Sequence, residues 1–425
     1  MTTADAMSLP GAAPVPAAAG MVHFLGREAV YWRLRIKGAA LLMLTLGIYR
    51  FWFATDVRRY LWSSTEIGGE TLEYTGLATE LLGGFLLAIA IVGPLYTTIA
   101  SAALTLETAA SAIGAIGFVL LLLLSQFALY RARRYRLTRT AFRGVRFDQH
   151  GSAWRYAVYA LAWWTLAVAT LGLAYPWAQA ALQRFKMRHT CYGDLAGSFA
   201  GSGAALFLRG LPIWLGVVGP IVLAVTALVR MVDWNALNAM MAAGKGNPLA
   251  LLAENAGVSL FAVAAVCFGI SLIAALVLYP LFAAIMMRWW ISGLRFGTLA
   301  VHSRLSTAQV YRVYLRFVLY VVPFTLVATA AGAVSVIAAS ALVGSSRDSM
   351  LAELFASAVT LAIYVVIVLG ASTIYQVAIT FAMWRLGVQT AELSGADALE
   401  TVRASGLPDS ALGEGLVDAL GVGGI

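Results

Sequence analysis

Charge is what this 425-residue chain has least of: Asp, Glu, Lys and Arg make up 12% of it against 61% hydrophobic residues, and the mean hydropathy is +0.83. So little polar surface cannot coat a soluble globule of this length, so the chain needs lipid as its solvent. Cysteine is nearly absent, and Cys191 and Cys267 match no disulfide, metal or redox spacing. His23, His150, His189 and His302 form no ligand pattern. There is no P-loop, nucleophile elbow or His–acid constellation, so the expectation is no enzyme, no metal and no cofactor. No carboxylate lies in the middle of an apolar run, since Glu80, Glu107 and Glu353 fall at or beside run ends. Ion-coupled pumps keep buried acids for proton relays, so proton coupling is disfavoured. Alternating strand patterns are missing too, which argues against an outer-membrane barrel.

What is present is length of apolar run. Leu77–Ala103, Ala109–Tyr130, Ala204–Leu228, Val258–Met287, Phe317–Val343 and Leu351–Met383 each reach the roughly 20 residues that cross a bilayer core. Gly38–Ala54 and Tyr156–Ala178 are apolar as well, but TLGIYR and TLGLAYP interrupt them. The fold expected is an all-α polytopic membrane protein of six to eight membrane segments. Residues 1–22, rich in Ala and Pro, read as a disordered tail with no signal-peptide pattern. The residues after Gln389 carry six acids against Arg403, a net charge of −5 within the overall +9, and read as a solvated, partly helical end.

The chain also aligns with itself. A shift of 125 residues superposes Gly26, Tyr31, Leu41, Thr45, Leu46, Gly47, Trp52, Arg59, Thr65, Gly68 and Gly76 on identical residues, from Gly151 to Gly201. One residue further on, VGPL at Val92–Leu95 answers VGPI at Val218–Ile221. A second shift, of 149, pairs Tyr130, Arg139, Gly144, Arg146 and Phe147 with Tyr279, Arg288, Gly293, Arg295 and Phe296. These alignments predict an internally duplicated three-segment unit with a loop insertion at Met231–Asn255 in its second copy. The organisation read from them is repeat 1 over 23–130, a basic segment over 131–155, repeat 2 over 156–290, a third hairpin with a basic lead-in over 291–390, and an acidic tail over 391–425.

TLGIYRFW with its following Arg-Arg-Tyr, RLTRTAFRGVRF and TLGLAYPW together resemble the YjgN family of bacterial inner-membrane proteins of unknown function, over roughly Phe24–Gln389. The resemblance implies fold and compartment. It brings no substrate and no catalytic residue.

Charge predicts the orientation. If both interrupted segments re-enter or lie in the interface, one face of a six-crossing chain holds 26 of the 29 Lys and Arg, and the other only Arg230, Lys245 and Arg347. If both cross, the count becomes 15 against 14. The positive-inside bias selects six crossings, with both termini cytoplasmic. Six crossings make the two units parallel repeats, whereas eight would make them inverted ones.

Two regions are candidates for function. The first comprises the interruptions, with Gly47, Tyr49 and Trp52 in one and Gly172, Tyr175, Pro176 and Trp177 in the other. Broken helices at membrane depth often surround a solute in transporters, whereas the plainer reading is close helix packing at glycine with Trp anchors at the interface. The second is basic: Arg139, Arg143 and Arg146, with Arg288 and Arg295, beside aromatic residues and directly after a span. That position suits anionic lipid headgroups, at about 1 kcal/mol per cation, better than nucleic acid. Two functions follow as expectations: passage of a small or amphiphilic solute between the repeats, or a non-transporting scaffold that binds anionic lipid. A cavity reaching both Gly47 and Gly172 would favour the first, and lipid-facing grooves the second.

Overall fold

The structure, a computed structural model, describes residues 20–106, 109–231, 234–242, 248–345, 350–399, 402–403, 416–417 and 419–420. Its helices come in pairs: α1 (Glu28–Leu44) with α2 (Arg50–Ser63), α3 (Ala78–Thr105) with α4 (Ala110–Thr138), and α5 (Ala153–Ala169) with α6 (Tyr175–Arg188). Then come α7 (Gly203–Met231) with α9 (Pro248–Gly293), and α10 (Thr307–Ser345) with α11 (Met350–Tyr375), which runs through a π-helical turn (Gln376–Phe381) into α12 (Ala382–Gln389). The short α8 (Trp234–Ala242) occupies the expected insertion. Six helices are long and apolar enough to cross a membrane: α3, α4, α7, and parts of α9, α10 and the α11–α12 run. At most 17% of each one's apolar window is buried within the protein, as befits helices whose apolar faces meet lipid in place of a core.

The α1–α2 and α5–α6 pairs are not among the six. Each doubles back on itself: the Tyr60 hydroxyl at the end of α2 donates to the Arg27 carbonyl before α1 at 2.7 Å. Likewise the His150 N–H before α5 donates to the His189 carbonyl after α6 at 2.7 Å. Their tips are apolar and bare, with Leu46 95% and Leu171 65% exposed, an arrangement that is favourable only in lipid.

The expectation of an all-α chain is corrected by a sheet. Its strands are β1 (Gly20–Phe24), β2 (Thr65–Ile67), β3 (Glu70–Thr71), β4 (Glu73–Tyr74), β5 (Thr140–Phe142), β6 (Val145–Gln149), β7 (Thr190–Tyr192), β8 (Leu195–Phe199), β9 (Leu294–Phe296), β10 (Leu299–Ser303) and β11 (Ala391–Ser394). All pair antiparallel, in the order β3-β2-β1-β11-β10-β9-β8-β7-β6-β5-β4. The two ends of that ladder, β3 and β4, are separated only by Leu72, whose N–H bonds the Thr65 carbonyl at 3.0 Å. One stretch of chain therefore holds both edges and closes the sheet into a ring, which leaves no edge to aggregate. A strand hairpin links each helix pair to the next, so every pair starts and ends at the ring.

Local chemistry builds these junctions. Thr65, Thr140 and Thr190 each open a strand just after a helix and Thr390 stands directly before one, and each hydroxyl donates to the carbonyl four residues back, at 2.9, 2.8, 2.8 and 2.7 Å. Each bond satisfies a carbonyl that the helix end would leave open. The β5–β6 hairpin turns over Arg143 and Gly144, both with positive φ (50° and 74°), the conformation a two-residue turn needs.

Apolar burial is local to the ring. Phe24, Tyr31, Val57, Leu61, Val377 and Phe381 tie the first helix pair to the last, with the Tyr31 and Phe381 rings stacked at 4.6 Å. Tyr130, Ala153, Tyr156, Ala160 and Leu182 tie α4 to the α5–α6 pair. The acidic end is not simply solvated. Leu416 and Val417 pack on Ala88, Ala128 and Ala132, and the Arg403 N–H donates to Asp194 at 3.1 Å. Residues 1–19 lie outside the described residues, as do Lys245 and Arg347.

Candidate functional site

The two interruptions share one backbone conformation. Leu46 and Leu171 both have φ 50°, and Gly47 and Gly172 have φ 93° and 88°. The Gly47 N–H bonds the Leu42 carbonyl at 2.8 Å and the Gly172 N–H the Ala167 carbonyl at 2.7 Å, closing each helix with a Schellman-type bond. Thr45 and Thr170 then start the next helix, accepting through Oγ1 from the N–H of Tyr49 and of Ala174, both at 3.0 Å. Every N–H from Thr45 to Arg50 and from Thr170 to Tyr175 has a partner.

The interruption leaves no backbone donor free for a solute. Close packing would put a neighbour against the glycine, yet a Cβ on Gly47 would meet nothing within 4 Å, and one on Gly172 only the Trp214 ring at 3.7 Å. Glycine is there because the turn requires positive φ.

Nor do the two breaks share a cavity. Gly172, Tyr175 and Pro176 line a space of about 430 Å³ whose other walls are apolar, among them Phe207, Trp214 and Phe282. Trp177 faces a different cavity, of about 770 Å³, where Arg155, Arg184 and Arg188 meet Tyr159, Trp163 and Ser202 at the start of α7. Gly47, Tyr49 and Trp52 line neither, and the Tyr49 hydroxyl donates to Asp56 at 3.4 Å. A third cavity, of about 390 Å³, lies between the first pair and α11.

Most of the sequence-selected arginines serve the fold. Arg139 pairs with Glu80 at 2.7 Å, and the Tyr135 hydroxyl donates to the other oxygen of that carboxylate at 2.7 Å. Arg143 pairs with Glu70 at 3.2 Å across two hairpins. Arg295 donates to the carbonyls of Ser292, Leu294 and Val301 at 3.0–3.2 Å, and Arg288 to the Thr307 hydroxyl at 3.2 Å and the Leu305 carbonyl at 3.5 Å. Arg146 sits half-buried on β6 opposite Ala141.

The 149-residue shift joins unlike places: Arg139 caps α4, whereas Arg288 lies inside α9. The alignment that geometry does produce was missed. Arg59, Arg184 and Arg288 each donate to the carbonyl 17 residues on, at Gly76, Gly201 and Leu305. Each clamps the end of one helix to the start of the next across a strand hairpin. Identity at Arg59/Arg184 and Gly76/Gly201 was the available signal, but the shared acceptor is backbone and leaves no side-chain pattern.

Near the ring, Lys186 is held down to about 7 by burial, with Arg133 adding repulsion. The Cys191 thiol is pushed up by burial and by Asp148.

Six lipid-length helices, two doubled-back helix pairs and a ring of short strands define a multi-pass helical membrane protein. The chain belongs to the family described as bacterial protein of unknown function (DUF898), the YjgN family, whose model matches residues 19–419. Neither the comparison with curated proteins nor that with solved structures finds a match.

Proposed function

We propose that the chain is an inner-membrane protein that binds anionic lipid without transporting or catalysing, its ring of strands and both termini facing the cytoplasm. The observation that carries this reading is the 770 Å³ cavity, where three arginines stand beside Tyr159, Trp163 and Trp177. Arg155 and Arg188 are exposed. Cations with indole and phenol rings are the chemistry of the headgroup level, where each cation near an anionic surface contributes about 1 kcal/mol. The lipid site thus moves from Arg139, Arg288 and Arg295, which hold the fold, to Arg155 and Arg188. The duplicated unit fits this reading as two lipid-immersed helix pairs on a common ring.

Passage of a solute between the repeats has less support, since the breaks are hydrogen-bonded turns that face separate spaces. The test is lipid retained through purification. An Arg155→Gln/Arg188→Gln protein should lose at least half of its anionic phospholipid, measured by mass spectrometry, while Arg139→Gln loses stability and keeps lipid. Retention unchanged in the double variant contradicts the assignment.

A further inference from the structure

The two cavities beside the second helix pair continue into one another. On α7, Gly203 lines the arginine cavity while Phe207, Gly210, Trp214 and Val217 line the apolar one, and steps of three and four residues put all five on one helix face. On α6, Trp177 belongs to the first and its neighbour Pro176 to the second. The Trp177 and Phe207 rings meet at 4.8 Å where the two spaces adjoin. The arginines stand at the ring end, where α6 stops at Arg188 and α7 starts at Gly203. From there the apolar space follows α7 from Leu206 to Val218. At about 1.5 Å per residue that is roughly 18 Å, close to the ~15 Å that half of a ~30 Å hydrocarbon core provides.

The groove is held open by the fold. The Trp214 indole N–H donates to the Leu171 carbonyl at 2.8 Å, which ties the tip of the α5–α6 pair to α7 and fixes the far wall. A Cβ on Gly210 would meet nothing within 4 Å, so a missing side chain leaves room there. Its lining residues include no charged side chain. Inside a bilayer an apolar surface gains nothing from being covered by hydrocarbon as such, and only packing against a matching shape stabilises a bound chain. A ligand that fits the whole surface is an anion at one end and a hydrocarbon chain along the rest.

We infer that the two cavities form a single site for one long-chain anionic phospholipid, its phosphate between Arg155 and Arg188 and one acyl chain laid across Trp177 and Phe207 into the apolar groove. This rests on the anionic-lipid reading of Arg155 and Arg188, and adds that the ligand is selected by its chain as well as by its head. Charge complementarity chooses the occupant: a soluble phosphate ester would leave the groove unused, and a neutral lipid would leave the arginines unmatched.

Native mass spectrometry of the full-length purified protein in detergent tests it with two equimolar mixtures: dipalmitoyl against didecanoyl phosphatidylglycerol, and dipalmitoyl phosphatidylglycerol against dipalmitoyl phosphatidylcholine. The expected result is about threefold more bound dipalmitoyl than didecanoyl lipid, a modest preference because packing alone supplies it, together with selection of phosphatidylglycerol over phosphatidylcholine. Gly210→Leu, which grows into open space and suits a helix, should abolish the chain preference and keep the headgroup selection. Arg155→Gln/Arg188→Gln should do the reverse. Should Gly210→Leu fail to fold, Ala275→Leu decides, because it fills the same groove from α9. No chain preference in the unaltered protein, or the same preference in a folded groove variant, overturns the inference while headgroup selection stands. Equal binding of phosphatidylglycerol and phosphatidylcholine overturns the headgroup reading, and this inference with it.

Discussion

At Gly47 a single torsion angle separates two accounts of the same motif. With φ at 93° and no neighbour within 4 Å of a Cβ, any L side chain is strained there whatever its size. Gly47→Ala and Gly47→Leu should therefore cost about the same, on the order of 1–2 kcal/mol, read as thermal melts in detergent. A much larger loss for Leu would restore the packing account. Lys186 makes a different residue-level prediction. Its folded-state value near 7 lies below the ordinary lysine range, so between about pH 7 and the unfolded value near 10.4 the unfolded chain binds more protons and stability rises with pH. Below pH 7 both states are charged and the full penalty remains. Lys186→Met should flatten the rise and raise Tm most at pH 6, and an unchanged pH profile would show that Lys186 is not the group responsible. The sequence displays both residues plainly, but φ and desolvation are set by what surrounds them, so neither role was legible there.

Elements were legible in proportion to their length. Six runs of apolar residues announced six helices because crossing a bilayer takes about 20 of them. The strands are 2 to 5 residues long, too short to show a period of two, and β5 and β6 were read as part of a basic segment because Arg143 and Arg146 dominate it. The threonines that join helix to strand are the better signal, and they differ in load. Thr190 Oγ1 donates to the Lys186 carbonyl and also accepts from Nη1 of Arg133 at 2.9 Å, whereas the Thr390 hydroxyl, among the described residues, bonds only the Leu386 carbonyl. Thr190→Val should thus cost about 1–3 kcal/mol, because it strips a partner from a buried charged donor, and Thr390→Val less than about 1 kcal/mol. Equal costs in chemical or thermal denaturation would mean that the contact to Arg133 contributes nothing.

The whole molecule is governed by parity. Both ends of every helix pair lie at one ring of strands, a parity that six crossings would satisfy, with Arg230 in the last turn of α7 at the far end. Charge counting points to the same parity, because the positive-inside bias survives only if the TLG segments turn back. It could not show how they turn, since Thr45 and Thr170 cap through bonds to backbone that no residue pattern encodes. The ring itself escaped notice because it pairs residues as distant as Met21 and Glu392. The most direct test uses single cysteines at Ser152, Asp194 and Ser345 in a protein with Cys191 and Cys267 replaced by serine, probed with an impermeant thiol reagent on intact cells. Ser152 precedes the second doubled-back pair and Asp194 follows it, so one side of the membrane must hold both. The account predicts that both stay shielded until the cells are opened while Ser345, at the far end of α10, labels from outside. Labelling of Ser152 and Asp194 from opposite sides would mean that α5–α6 crosses the bilayer, and would contradict the ring.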